Sequence, residues 1–145
     1  MDKIRLRRIM VEDVDAISRI QESITKASVS QDFKQIILEH APKAEEASFV
    51  AEVKGRVVGY MISYILSGSF GMDKNAWIAQ FGVDPKYMGQ GIGKRLAEEI
   101  FGFYRGKGIN NIFTSVRWDS TDLLSFFKTL GFDRSSFINL RKVLD

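Results

Sequence analysis

One stretch gathers residues that could handle a charged ligand: Val83-Asp84-Pro85-Lys86-Tyr87-Met88-Gly89-Gln90-Gly91-Ile92-Gly93-Lys94. A strand-like apolar pattern ends at Val83, Pro85 turns the chain, and three glycines at alternate positions open a helical pattern. Glycine lets a backbone approach a ligand closely and take dihedrals that a side chain would strain. The first-turn amides of a helix have no partner inside it, and the helix dipole adds partial positive charge there. A pyrophosphate suits that geometry, with Lys94 and Arg95 adding formal charge nearby. The competing reading is a glycine turn that only caps a helix. Two known phosphate loops do not fit. A Walker A loop needs glycine where Met88 stands and Ser or Thr where Arg95 stands, and the dinucleotide pattern needs glycine where Lys94 stands.

Other chemistry is sparse. There is no cysteine, which excludes disulfides, thiolate metal sites and cysteine nucleophiles and fits a reducing compartment. His40 is the only histidine, and its place before Pro42 reads as a helix C-terminal cap. One histidine without cysteine argues against zinc. Gln80 can orient water but cannot accept a proton at neutral pH. Glu22, Asp32 and Asp73 are carboxylates expected on the surface. Tyr60, Tyr64 and Tyr87 carry phenols that sequence alone does not position. Trp77, Trp118 and the eleven phenylalanines are expected in the core. In Trp118-Asp119-Ser120, Asp119 or Ser120 reads as an N-cap.

The scaffold for these groups reads off in chain order. Ile4 to Arg7 alternates apolar and charged, a first strand. Val14, Ile17, Ile20 and Ile24 recur at helical spacing behind Glu12 and Asp13, where negative charge favours a helix start. A second helix covers about Asp32 to Glu39. Ser48 to Lys54 and Arg56 to Leu66, parted by Gly55, form a hairpin. Gly68-Ser69-Phe70-Gly71 is a loop. Ala76 to Val83 is a strand apolar enough for the middle of a sheet. The next helix carries Ile92, Leu96, Ile100 and Phe103 on one stripe and closes at Gly106-Lys107-Gly108. Asn111 to Val116 is a strand, Ser120 to Leu130 a helix, and Phe137 to Val143 a last strand.

At 145 residues and 45% hydrophobic content the chain suits one domain, 1–145, since halves would each be marginal. The 21 basic and 18 acidic residues leave a net charge of +3. That mild excess suits a phosphate-bearing ligand, and the basic residues are too dispersed for a nucleic-acid partner. No apolar run is long enough for a signal peptide or a bilayer span, so no membrane association is expected and a cytoplasmic protein is.

The glycine segment resembles motif A of the GNAT N-acetyltransferase superfamily, whose loop reads Q/R-x-x-G-x-G/A. Met88 takes the Q/R position, and Gly91 and Gly93 match the two small residues. Leu123 to Phe132, ending Phe126-Phe127-Lys128-Thr129-Leu130-Gly131-Phe132, resembles motif B, with Ser120 at its usual asparagine and Phe127 at its usual tyrosine. The resemblance spans essentially the whole chain. It implies an α/β (α+β) fold: a mixed, mostly antiparallel sheet of about six to seven strands flanked by helices and splayed between the fourth and fifth.

It further implies acetyl-CoA as co-substrate, bound by Phe81, Val83, Met88, Gly89, Gln90, Gly91, Ile92, Gly93, Lys94, Phe127 and Lys128, and direct attack of an amine on the thioester. Val83 would supply the main-chain amide for the oxyanion, with Gly82 easing the splay. Phe127 cannot act as the general acid; the general acid and base are left unassigned, with Gln80 and Ser120 as catalytic candidates. Acceptor choice would lie with Ile24 to Ala41 and the Gly68 to Lys74 loop. The acceptor would be a small-molecule or protein amine, and homodimerisation is implied only by analogy. A non-catalytic acyl-CoA-binding module is the alternative, and only turnover separates the two.

Overall fold

The alternation at Ile4-Arg5-Leu6-Arg7 produces strand β1 (Ile4–Arg8), in which Ile4 and Leu6 are half-buried on one face and Arg5 and Arg7 lie on the other. The computed structural model describes residues 3–68, 71 and 73–145, and they divide into two compact units, Met1–Ser115 and Val116–Asp145. In the first unit β1 pairs antiparallel with β2 (Phe49–Val53), and β2 with β3 (Arg56–Leu66). The connecting Lys54-Gly55 turn has φ of 51° and 77°, the left-handed pair that matches a hairpin's twist. β3 pairs antiparallel with β4 (Asn75–Val83), and β4 runs parallel to the short β5 (Ile112–Thr114).

Two helices cover one face of this sheet. α1 (Val14–Thr25) and α2 (Gln31–His40) bury Ile17, Ile20, Phe33 and Ile37 against Val50, Tyr60 and Ile62. Ser30 caps α2, its hydroxyl accepting the Phe33 N–H at 3.1 Å. Arg7 ties β1 to the start of α1 by bonding both Asp13 oxygens, at 2.8 and 2.9 Å, and Glu52 at 3.1 Å. Those hydrogen bonds, Asp13's first, hold the guanidinium well above its usual pKa.

α3 (Ile92–Gly106) covers the other face. A methyl group on Gly59 would lie 2.9 Å from Ile92 Cγ2, whereas the adjacent Tyr60 packs among the α1 and α2 residues, as alternation along a strand requires. The helix buries Ile92, Leu96, Ile100 and Tyr104, one per turn, each apolar side chain contributing about 1.5–3 kcal/mol. Sequence pattern puts Phe103 on that stripe; the structure puts Tyr104 there instead. The Tyr104 hydroxyl accepts the Ala47 N–H at 3.0 Å and lies 2.6 Å from Ser63 Oγ, while Phe103 lies under Arg8 and Lys107.

The described residues form five strands, not the six to seven expected. Phe137 to Val143 is not a strand. A β pattern becomes a strand only when a neighbouring strand lies in register with it, and the order of the sheet ends at β5. Ile138 and Leu140 are exposed. The second unit contains α4 (Thr121–Thr129), where Phe127 packs edge-on against Phe126 and Phe132. Trp118, expected in a core, is 86% exposed. Part of the Gly68-Ser69-Phe70-Gly71 loop lies outside the described residues. No helix among the described residues is long and apolar enough to cross a membrane.

Candidate active site

The sheet opens where β4 and β5 part. Their pairing comprises Ala76 with Ile112, Trp77 with Phe113 and Ile78 with Thr114, and Thr114 Oγ1 donates to the Ile78 carbonyl at 3.0 Å. The next residue is a bulge: Ile62 pairs with Gln80 and Ser63 with Ile78, leaving Ala79 as an extra residue on β4. A bulge bends a strand and re-aims the residues after it. Beyond it, the Asp84 N–H donates to the Val58 carbonyl at 2.8 Å. Bonded positions alternate along an antiparallel pair, so Asp84, Gly82 and Gln80 direct their backbone groups to β3. Phe81 and Val83 therefore direct theirs to the opposite edge, past the last β5 pair. Val83 is buried there. On Gly82 a Cβ would stand 2.8 Å from Tyr60 Cε1 and 3.1 Å from Ile24 Cδ1.

The glycine loop continues from the same strand. Asp84 Oδ1 accepts the Lys86 N–H at 3.0 Å and starts a 3-10 turn over Pro85–Tyr87. Gly89 and Gly91 have φ of 80° and 78°, and Gly91 is the N-cap of α3 with no side chain to cap it. A Cβ on either would meet nothing within 4 Å, so backbone conformation, rather than crowding, demands glycine. Gly89, Gln90 and Gly91 are exposed, while Ile92 and Gly93 are buried. The first helical bond runs from the Arg95 N–H to the Gly91 carbonyl at 3.1 Å, which leaves the amides of Ile92, Gly93 and Lys94 as the helix's orphan donors. This uncapped, side-chain-free N-terminus fits a pyrophosphate. Cationic side chains add less than sequence suggests: Lys94 Nζ lies 4.0 Å from Glu98 Oε1, and Arg95 donates to the Ile4 carbonyl at 3.3 Å. Met88, at the Q/R position, is 60% exposed.

The remaining candidates are scattered. Gln80 is half-buried on the α1–α2 face of β4. Tyr60, fully buried, donates to Gln21 Oε1 at 2.7 Å, and burial pushes its phenol above the usual range. Tyr87 ends the 3-10 turn. Glu22 accepts the Val29 N–H at 3.2 Å, Asp32 lies in the first turn of α2, and Asp73 is exposed. In the second unit Ser120 sits at the N-cap of α4, but its hydroxyl makes no cap bond. Asp119 does not cap either; Arg117 bonds it at 2.9 and 3.0 Å and lowers its pKa. Phe127 is buried and Lys128 exposed.

His40 is not the cap expected of it. The Ala41 N–H takes the Ile37 carbonyl at the end of α2, and the His40 ring bonds the buried Glu46 instead. Sequence reasoning missed this pair and the bulge at Ala79. The signal was slight: a lone histidine a few residues before a glutamate, across a proline.

Comparison with known proteins agrees with this geometry. The acetyltransferase (GNAT) family pattern matches residues 14–132. N-alpha-acetyltransferase RimI of Mycobacterium tuberculosis is 43% identical over 53 residues, 37% of this chain and 32% of that protein. Mycothiol acetyltransferase of Amycolatopsis mediterranei is 26% identical over 92% of this chain and 47% of that protein. The chain thus spans less than half the length of either relative. An aminoglycoside N-acetyltransferase, AAC(6')-Iy, solved with CoA, shares the fold at a TM-score of 0.81 and 14% identity, covering 99% of this chain and 96% of that one. With that family pattern running from the first turn of α1 through Phe132, and a forked sheet beside a glycine-led helix, this chain belongs to the acetyltransferase (GNAT) family.

Proposed function

We propose that this chain is a cytoplasmic N-acetyltransferase, with residues 1–145 acting as one domain, that passes the acetyl group of acetyl-CoA directly to a primary amine. The observation that carries the reading is the fork between β4 and β5 on the strand that ends in the uncapped N-terminus of α3. The C-terminal half of that strand, past its last β5 pair, opens a gap for an extended arm, and the loop that follows it suits phosphates. The amides of Ile92, Gly93 and Lys94 hold the pyrophosphate, and Gly89, Gln90 and Gly91 let it approach. Met88 borders it with apolar surface. Phe81 and Val83 present main-chain groups to the arm, and the Val83 N–H stabilises negative charge developing on the acyl oxygen.

Acetyl-CoA supplies an activated acyl group on a thiol whose pKa, near ~8.5, lets it leave as an anion. This makes a phenolic acid dispensable, in keeping with Phe127 at the usual tyrosine position. The relatives' names concern α-amines and mycothiol, and one neighbour is named for aminoglycosides; an amine acceptor is common ground for the proposal. The test is CoA thiol release from acetyl-CoA with an alanine-initiated peptide, spermidine and sisomicin as acceptors. Amine-dependent release supports transfer. Cofactor binding without release from any acceptor sinks it and leaves an acyl-CoA-binding module.

A further inference from the structure

Gln21, near the end of α1, uses one half of its side-chain amide in the fold and leaves the other half beside the fork. Across β3–β4, Tyr60 pairs with Gly82, the neighbour of Val83, whose amide faces the opening. A Cβ on Gly82 would stand 3.0 Å from the Tyr60 hydroxyl and 3.1 Å from Ile24 Cδ1. The phenol and the end of α1 therefore lie directly against the backbone next to that amide. The hydroxyl in turn donates to Gln21 Oε1 at 2.7 Å. Gln21 thus reaches the residue next to Val83 through two short contacts.

The same bond fixes which way the Gln21 amide faces. Tyr60 is fully buried, and a buried phenol keeps a partner for its O–H. A carboxamide accepts only at its oxygen, so Oε1 turns inward to Tyr60 and Nε2 carries its two N–H groups outward. Among the described residues Nε2 has no protein partner. Gln21 is half-buried, and Nε2 stays open to solvent. The fold uses the oxygen and leaves the donor to whatever occupies this corner.

The other groups at the corner are neutral. Ile24 follows Gln21 by three residues, on the same helix face, and offers exposed apolar surface. Gln80, two residues before Gly82 and on the same face of β4, is half-buried. Glu22, the carboxylate next to Gln21 in the chain, is exposed and accepts the Val29 N–H at 3.2 Å. A neutral N–H donor recognises an oxygen and offers nothing to a second ammonium. The corner therefore suits an amine with an oxygen close by rather than a polyamine.

We propose that Gln21 is a specificity-determining residue of the acceptor site, its Nε2 donating to a carbonyl or hydroxyl oxygen on the carbon adjacent to the one that bears the acceptor amine. This rests on the N-acetyltransferase reading. Tyr60 is a positioning residue: it holds the amide in the orientation that presents the donor.

Three small acceptors test the assignment. Alaninamide carries the carbonyl, alaninol a hydroxyl in its place, and 2-aminobutane neither. The experiment measures kcat/KM for CoA release with each. The amines differ in pKa, so the quantity read is the change between enzymes in the ratio of an oxygen-bearing acceptor to 2-aminobutane. Gln21→Glu keeps an acceptor for the Tyr60 hydroxyl but loses the donor, and is expected to lower that ratio about 10-fold. Gln21→Leu combined with Tyr60→Phe removes both partners, so no buried hydroxyl is stranded, and is expected to lower it about 3–10-fold. Tyr60→Phe alone frees the amide to turn and is expected to lower it less than Gln21→Glu does. A fall for alaninamide identifies the oxygen as the carbonyl of a peptide amino terminus or amino-acid amide; a fall confined to alaninol identifies an amino alcohol. A ratio unchanged in folded Gln21→Glu and in the double variant overturns the role of Gln21 and leaves acetyl transfer standing. So does a wild type that acetylates spermidine but neither alaninamide nor alaninol. A wild type that acetylates no amine contradicts acetyl transfer itself and removes this role with it.

Discussion

Gly82 and Gly91 are both glycines of the proposed site, yet they are glycine for different reasons and should fail differently. At Gly82 a methyl group meets the Tyr60 ring and hydroxyl at 2.8 and 3.0 Å, inside a packed core. Gly82→Ala is expected to cost about 1–3 kcal/mol by overpacking, read as a lower urea midpoint, and to lower kcat because the shift falls beside the Val83 amide. At Gly91 nothing is near, and Gly91→Ala meets only the left-handed strain of about 1–2 kcal/mol.

Buried phenols set an alkaline limit. Burial raises the pKa of Tyr60 and Tyr104, so their neutral forms are favoured in the folded state. That contribution is complete below the unfolded phenol pKa of about 10 and is lost as pH rises through the folded values. The melting temperature is expected to fall above about pH 10. Tyr104→Phe should cost about 1–3 kcal/mol at neutral pH, because the Ala47 amide loses its buried acceptor.

Among the helices and strands, α3 carries the site because its core stripe anchors it. Ile100→Ala, at a fully buried position, is expected to destabilise by about 2–5 kcal/mol in chemical denaturation. Cofactor affinity in the remaining folded protein should hardly change, since Ile100 lies two turns from the glycine loop.

This helix, the Gly55 hairpin and the strand running into Pro85 could be read from local chemistry: periodicity, left-handed turn residues and a proline stop. What could not be read depends on partners distant in sequence. Ala79 is a bulge only because Ile62 and Ser63 pair as they do. Tyr104 replaces Phe103 in the core because Ala47 and Ser63 supply polar partners for its hydroxyl. Phe137 to Val143 alternates well enough for a strand, but alternation does not provide a neighbour. Of the candidate site, the glycine loop's backbone conformation was legible, since it is set by local main-chain chemistry. The His40–Glu46 pair, a contact outside that site, was not legible, because it forms across a turn from residues ordinary in isolation.

For the protein entire, the family match, the forked sheet and the mild positive charge of +3 suit the polyanionic co-substrate proposed above, held chiefly by backbone. Lys94 and Arg95 engage protein groups elsewhere, so binding should depend only modestly on salt, and Lys94→Ala is expected to weaken it far less than any change that closes the loop. The decisive experiment is calorimetric titration of acetyl-CoA into the wild type and into Gly91→Glu, whose carboxylate occupies the phosphate cradle. A backbone cradle at α3 predicts micromolar binding, about −8 kcal/mol, by the wild type and none by the folded variant. A folded wild type that does not bind acetyl-CoA, or a Gly91→Glu variant that binds it equally well, would contradict that cradle.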